Sequence, residues 1–199
     1  LRGKCGTCHR FISIQYPLIE LINGVVYFLL ASGLTASSIS SELLPLTLKA
    51  LIFSLLLAHF VIDFRHQLLP DGINIFLAIF FLSLSIINEQ WQMGLYGFAI
   101  GLALPLVVTY LFYLAKGVVG LGGGDIKLFG ALGLFLGPLG IIQNIFLSCL
   151  LGSVLGIGLI LVKAMKRERP IPFGPFIIAV AGFQIYFPDY FTRLLSVIF

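Results

Sequence analysis

Apolar residues dominate the chain in long stretches, which are separated by short polar or Gly- and Pro-containing segments. A helix that crosses a bilayer needs about 20 mainly apolar residues, and most of the stretches approach that length. Hydropathy and helix-breaking residues together predict seven spans, approximately at 18–35, 46–62, 72–87, 94–115, 125–137, 140–163 and 171–187. The fifth is short, so we expect it to be tilted, irregular or set against a water-filled cleft.

The overall composition also favours lipid as the surrounding solvent. Of the 199 residues, 59% are hydrophobic and 10% are charged, with a mean hydropathy of +1.10. A soluble domain carries roughly 25% charged residues. Backbone polar groups in lipid must be satisfied within the protein, so the sequence predicts an all-α fold, a polytopic transmembrane helix bundle.

The basic residues indicate an orientation. If the N-terminus is cytoplasmic, ten of the twelve Lys and Arg residues fall on that side, and only Lys49 and Arg193 lie near the other. This asymmetry matches the positive-inside rule. The net charge of +4 is therefore explained by membrane topology, and we expect no nucleic-acid partner.

The first residues contain the pair Cys5-x-x-Cys8 on the predicted cytoplasmic side. Such a pair is typical of half a zinc knuckle, whose tetrahedral site needs four ligands. The alternative is two reduced cytosolic thiols in a loop. The chain opens on a polar segment without Met, so we expect further sequence upstream.

Two of the eight acidic residues stand where an apolar span meets the cytoplasmic side. Asp63 ends the second predicted span, and Asp125 opens the fifth after a run of glycines. Structural roles are open for both: Asp125 as a helix N-cap, and Asp63 as a partner of a nearby basic residue. Asp71, which follows a proline, is better explained as a helix start. Because ionisable groups at this depth are costly and commonly functional, the matched pair predicts a functional site.

Two carboxylates that lie close together do not both ionise easily, so they share a proton. The charged member can take a proton from water while the neutral member protonates a carbonyl oxygen. This chemistry hydrolyses a peptide bond without a cofactor. A helix N-terminus favours a negative charge, which makes Asp125 our expectation for the ionised member.

The segment around Asp125 is predicted to be the loop along which a substrate approaches. Gly122, Gly123 and Gly124 permit unusual backbone angles and leave room for an extended peptide, and Lys127 follows them. The structural alternative is a flexible connection between two spans.

Four motifs resemble the type IV prepilin peptidase family of bacterial inner-membrane enzymes. They are the pair Cys5-x-x-Cys8 with Tyr16-Pro-x-x-Glu-Leu21, Ile62-Asp63 with Leu69-Pro-Asp71, Gly122-x-Gly-Asp-x-Lys127 and Pro170-Ile-Pro-Phe-Gly-Pro175. Gly-x-Gly-Asp is also similar to the signature of presenilin-type intramembrane proteases. The order and spacing of the motifs make the combined resemblance specific over nearly the whole chain.

The resemblance implies an aspartyl endopeptidase with Asp63 and Asp125 as its catalytic pair. Its substrates would be type IV prepilins or type II secretion pseudopilins, cut on the cytoplasmic face after a basic leader. Residues 17–199 would form the transmembrane peptidase domain in the inner membrane, in contact with lipid. The resemblance leaves the oligomeric state undetermined.

The N-terminal region departs from the family pattern. Full-length members begin with another span and a first Cys-x-x-Cys, which would complete a zinc site with Cys5 and Cys8. Many also methylate the new N-terminus with S-adenosylmethionine. Residues 1–16 would be a remnant of this zinc-knuckle and methyltransferase region, which puts zinc binding and methyl transfer in doubt here.

A transporter or channel is the main alternative, since intramembrane acids also serve ion pathways. That class favours acids near the bilayer centre, whereas the sequence predicts Asp63 and Asp125 at the edge. A structural scaffold is the third interpretation, and it leaves the matched aspartates without a role.

Overall fold

The computed structural model describes residues 3, 6–8, 10–32, 39–118, 120–162 and 172–198. Within these residues the chain forms helices and no β-strand, which confirms the all-helical prediction. The helices are α1 (Gln15–Ser32), α2 (Ile39–His66), α3 (Asp71–Ile87), α4 (Trp91–Lys116), α5 (Gly123–Leu161), α6 (Gly174–Tyr186) and α7 (Pro188–Ile198). Helix α7 has no counterpart among the predicted spans.

Three segments of the described helices are long and apolar enough to cross a membrane. They are Glu42–His66, Trp91–Lys116 and Gly123–Leu159. Helices α3 and α6 are also apolar but shorter. The chain is thus a membrane protein with apolar helices. The described residues form seven helices, but the seven predicted spans are not established.

Helix α5 is broken at Gly137, where the backbone angles are φ 68° and ψ −176°. A left-handed φ is easily adopted only by glycine, and Pro138 follows at once. Asp125 and Cys149 line the same cavity, although a straight helix would place residues 24 apart at about 36 Å. The second half of α5 therefore turns back past the first, as the boundary between the fifth and sixth predicted spans indicated.

Helix α4 packs closely on the first half of α5 through glycines. A Cβ atom added at Gly97 would overlap the backbone at Gly133, and one added at Gly101 would overlap the backbone at Phe129. Small residues allow such close approach of helix backbones in lipid. The contact fixes α4 beside the start of α5, where Asp125 lies.

Buried polar side chains tie α6 to the second half of α5. The Asn144 amide donates to the Gln184 side-chain oxygen at 2.7 Å, and the Gln184 amide donates to the Gly140 carbonyl at 3.0 Å. Interhelical hydrogen bonds of this kind contribute to helix association in lipid. They tie the C-terminal part of α6 to α5.

Residues 1–54 form a separate compact unit. Within it, Ser54 donates to Asn23 at 2.7 Å and shares a hydrogen bond of 2.6 Å with the Tyr27 hydroxyl. These bonds join α1 to the first part of α2. The aspartates belong to the second unit, residues 55–199.

Candidate active site

Asp63 and Asp125 line one cavity of about 520 Å³. We call it the aspartate cavity. The residues that line it come from the end of α2, the loop before α5, both halves of α5 and the segment before α6. Its lining consists of Asp63, Gln67, Gly120, Leu121, Gly122, Asp125, Cys149, Pro172 and Phe173. The structure thus brings together the two acids that were 62 positions apart in the sequence.

Asp63 occupies the last turn of α2 and is only 5% exposed. Its carboxyl group lies against Gly174, the first residue of α6. A Cβ atom added at Gly174 would lie 2.7 Å from Oδ2 and 3.0 Å from Cγ of Asp63. Only glycine leaves room for this carboxylate beside the α6 backbone.

Asp125 is the third residue of α5 and is partly buried. It therefore lies inside the first turn rather than at the N-cap position that we considered. Its Oδ2 atom would be 3.0 Å from a Cβ atom on Gly122. The Asp125 carboxylate lies at the N-terminus of its own helix α5, and the Asp63 carboxylate lies against the N-terminus of α6. A helix N-terminus favours negative charge in both cases. The helix-end argument for Asp125 as the ionised member consequently does not distinguish it from Asp63.

Each carboxyl group has one buried oxygen without a hydrogen-bond partner among the described residues. These atoms are Oδ2 of Asp63 and Oδ1 of Asp125. Buried polar atoms are nearly always satisfied by protein or water, so two such atoms at one cavity indicate a place for water or a ligand. A pair of carboxyl groups in this arrangement can exchange protons with a bound molecule.

The predicted substrate-approach loop is helical at three of its four residues, and its role in substrate approach stays a prediction. Gly123, Gly124 and Lys127 lie in the first two turns of α5, and only Gly122 precedes the helix. The described glycines with positive φ are Gly3, Gly117 and Gly137. At Gly124 the absence of a side chain allows close packing, because a Cβ atom there would lie 2.8 Å from Cβ of Leu69.

Lys127 forms an ion pair with Asp71, with its Nζ atom 2.7 and 2.8 Å from the two carboxylate oxygens. Both side chains are largely exposed, and exposed pairs of this kind contribute about 0–1 kcal/mol. Asp71 is also the first residue of α3, as the sequence predicted. The ion pair therefore has a structural explanation, and neither of its residues lines the aspartate cavity.

A buried polar chain behind the aspartates was missed from the sequence. His59 is fully buried, and its Nε2 atom lies 3.1 Å from the Asn74 side-chain oxygen. The Asn74 amide in turn donates to the Gly124 carbonyl at 3.4 Å. His59 stands one turn before Asp63, and Gly124 directly precedes Asp125. The available signal was a histidine and an asparagine within apolar helices.

The predicted zinc half-site receives no support from the described residues. Cys8 is an exposed free thiol, and Cys5 lies outside the described residues. No group of three His, Cys, Asp or Glu side chains in the described part of the chain could hold a metal ion.

Comparison with known families identifies the chain. The family model for the type IV leader peptidase family matches residues 50–157, which include both aspartates. The chain belongs to the type IV leader peptidase family. A second family model, the bacterial N-terminal domain of the same peptidases, matches residues 1–34.

Relatives of this type IV leader peptidase family member carry the name prepilin leader peptidase/N-methyltransferase. The chain is 32% identical to the protein of Aeromonas salmonicida over 97% of its own length and 65% of the relative. It is 34% identical to the Bacillus subtilis protein, over 89% of the chain and 68% of the relative. It is 37% identical to the Stutzerimonas stutzeri protein, over 92% of the chain and 61% of the relative. The chain thus spans about two thirds of their length, and no solved structure matches it significantly.

Proposed function

We propose that this chain is a prepilin leader peptidase that hydrolyses a peptide bond with Asp63 and Asp125. The observation that carries the proposal is that both carboxyl groups line one cavity, each with a buried oxygen that has no hydrogen-bond partner among the described residues. Membership of the leader peptidase family and the names of the relatives supply the class of substrate.

In the proposed reaction, one carboxylate accepts a proton from water while the other, in its neutral form, donates a proton to the scissile carbonyl oxygen. The hydroxide equivalent then adds to the carbonyl carbon. Collapse of the tetrahedral intermediate breaks the C–N bond, and the proton taken from water passes to the leaving amine. As the carbonyl group re-forms, one hydroxyl proton of the intermediate returns to the carboxylate that had donated its proton. The two carboxyl groups end with one proton between them, as they began, and no covalent enzyme intermediate forms.

The proposed substrates are type IV prepilins or type II secretion pseudopilins with a basic leader. We place the reaction at the cytoplasmic face of the inner membrane, with the N-terminus of the chain on that side. The basic residues support this orientation through the positive-inside rule. Asp63 lies in the last turn of α2 and Asp125 in the first turn of α5, which suits a membrane edge better than an ion pathway through the bilayer centre.

Residues 17–199 form the peptidase domain in this proposal, and residues 1–16 belong to the adjoining N-terminal region. The names of the relatives also include N-methyltransferase. Zinc binding by Cys5 and Cys8 and the use of S-adenosylmethionine stay predictions for that region. No step of the proposed hydrolysis depends on them.

Cleavage of a prepilin in membranes by wild type, Asp63→Asn and Asp125→Asn tests the proposal. We expect each variant to lose at least about 100-fold in rate, because acid–base catalysis commonly supplies 10²–10⁴-fold. Asp71→Asn is the matched control, since it changes a third aspartate that lies in an exposed ion pair. Its rate should stay near that of wild type. Full activity in either Asp63→Asn or Asp125→Asn would contradict the aspartate pair.

A further inference from the structure

Gln67 lines the aspartate cavity directly beyond the end of α2. Its backbone N–H donates to the Asp63 carbonyl at 2.9 Å, which places it one helical turn after that aspartate. At 1.5 Å per residue, this offset corresponds to roughly 6 Å along the α2 axis. The aspartate cavity therefore has a neutral amide group in its lining in addition to the two carboxyl groups.

The backbone of Gln67 has a left-handed conformation, with a φ of 52°. Glycine adopts such angles readily, whereas a residue with a side chain is strained by them. Helix α4 ends on the same type of hydrogen bond, from the Gly117 N–H to the Tyr113 carbonyl at 2.7 Å, and there the left-handed residue is a glycine. The end of α2 does not need a side chain for this bond, so the glutamine requires another explanation.

The segment that carries Gln67 is held on both sides. Its backbone is bonded to α2 at Asp63. Two residues later, Leu69 packs against Gly124, which directly precedes Asp125. The segment is therefore fixed to α2 at one end and to the start of α5 at the other. A side chain on a backbone that is already ordered loses less conformational freedom when it binds a ligand.

A glutamine amide combines two N–H donors with a carbonyl oxygen that has two lone pairs, so it can bind a peptide group in addition to partners within the protein. A peptide group offers the matching carbonyl oxygen and N–H. We propose that the Gln67 side chain binds the main chain of the substrate on the leader side of the scissile bond, with its amide N–H donating to a main-chain carbonyl oxygen. This inference rests on the proposed peptidase function.

The leader side follows from the position of Gln67 relative to Asp63. In the proposed orientation the end of α2 faces the cytoplasm, and Gln67 lies farther from the membrane than Asp63, on the side where the basic leader stays. An extended peptide advances about 3.3–3.6 Å per residue. A separation of roughly 6 Å along α2 therefore corresponds to the first two peptide groups before the scissile bond.

Gln67→Met tests the amide group, because methionine keeps a side chain of similar length and has no amide. We expect kcat/KM for prepilin cleavage to fall by about fivefold or more, which is the effect of one hydrogen bond to the substrate. Equal kcat/KM for wild type and Gln67→Met would overturn the proposal.

Gln67→Gly and Glu89→Gly form a matched pair of variants. Glu89 is the second non-glycine residue with a positive φ in the described part of the chain, at 57°, and it does not line the aspartate cavity. Each change relieves a left-handed backbone but adds freedom to the unfolded chain, so both unfolding temperatures should stay within about 3 °C of wild type. We expect Gln67→Gly to lose kcat/KM as Gln67→Met does, and Glu89→Gly to stay within about twofold of wild type.

A synthetic prepilin segment identifies the contact when an ester replaces the first or the second peptide group before the scissile bond. An ester lacks the N–H, and its carbonyl oxygen is a weaker acceptor. Wild type should lose activity on one of these esters, and Gln67→Met should lose clearly less on the same ester, because the two changes remove one interaction. If wild type cleaves prepilin and neither ester distinguishes the two enzymes, the Gln67 proposal fails while the function stands. If wild type cleaves no prepilin, the proposed function itself fails.

Discussion

Gly174, the first residue of α6, lies directly against the carboxyl group of Asp63. The two residues are 111 positions apart, and the contact places the N-terminus of α6 at the buried end of α2. This position favours a carboxylate electrostatically. It also leaves no space for a side chain on Gly174, so the position of Asp63 depends on a residue outside its own helix.

Gly174→Ala should therefore reduce peptidase activity strongly. The new methyl group would lie 2.7 Å from Oδ2 of Asp63, and a displacement of about 1 Å in a catalytic group can cost about 100-fold in rate. The measurement is kcat for prepilin cleavage in membranes or detergent. Gly182→Ala in the same helix is the control, because no atom of the described residues lies within 4 Å of its added Cβ atom. Equal rates for the two variants would contradict this role of Gly174.

The glycines before Asp125 should differ in their tolerance of alanine. At Gly124 the added Cβ atom would lie 2.8 Å from Cβ and 3.3 Å from the carbonyl oxygen of Leu69, whereas at Gly123 the described residues leave it free. We expect Gly124→Ala to destabilise the protein by about 1–3 kcal/mol through overpacking. Gly123→Ala should be neutral or stabilise the helix by up to about 1 kcal/mol.

Thermal unfolding in detergent measures both glycine variants, and cleavage assays show whether the strain at Gly124 reaches Asp125. We expect the activity of Gly124→Ala to fall and that of Gly123→Ala to stay near wild type. The prediction is wrong if the two alanines change stability by the same amount.

The chain of His59, Asn74 and the Gly124 carbonyl should act on both stability and rate. Asn74→Ala leaves the buried His59 ring without its partner, which costs about 1–3 kcal/mol. Replacing both residues with leucine should recover most of that stability, since exchanging both partners for apolar groups can be nearly neutral. If these hydrogen bonds position the Gly124 backbone, kcat stays low in the variant with both leucines, while KM changes little.

A double-mutant cycle with His59→Leu, Asn74→Leu and the combined variant measures this coupling. Unfolding midpoints report the packing contribution, and kcat and KM report the position of the aspartates. Ser83→Ala is a suitable control, because among the described residues its hydroxyl donates to the Ile79 carbonyl within α3. If the stable double variant kept the kcat of wild type, the hydrogen bonds between His59, Asn74 and Gly124 would contribute to packing alone.

Much of the fold was predictable because hydropathy and helix breakers act over short distances. The apolar stretches predict the ends of α1, α3, α4 and α6 to within a few residues. The break in α5 falls at Gly137, at the boundary between two predicted spans. The two aspartates that line one cavity were proposed in the same way, from acids at the ends of apolar stretches. Asp71 also begins a helix, as its place after Pro70 indicated.

Local patterns failed where the outcome depends on which helix surfaces meet. Gly123 and Gly124 belong to α5 and not to a loop, and Leu69 packs where a side chain on Gly124 would stand. Lys127 forms an ion pair with Asp71, 56 positions earlier in the chain. Local rules of charge and spacing do not predict such a pairing.

The sequence by itself determined the apolar helices, the two aspartates and the resemblance to prepilin peptidases, because each depends on residue type and order along the chain. The tertiary structure alone decided that Gly174 meets Asp63 and that Asn74 joins His59 to the turn before Asp125. Those contacts arise from the reversal at Gly137 and the close packing of α4 on α5. Both depend on how helices fit together in three dimensions, where glycine leaves space that hydropathy does not record.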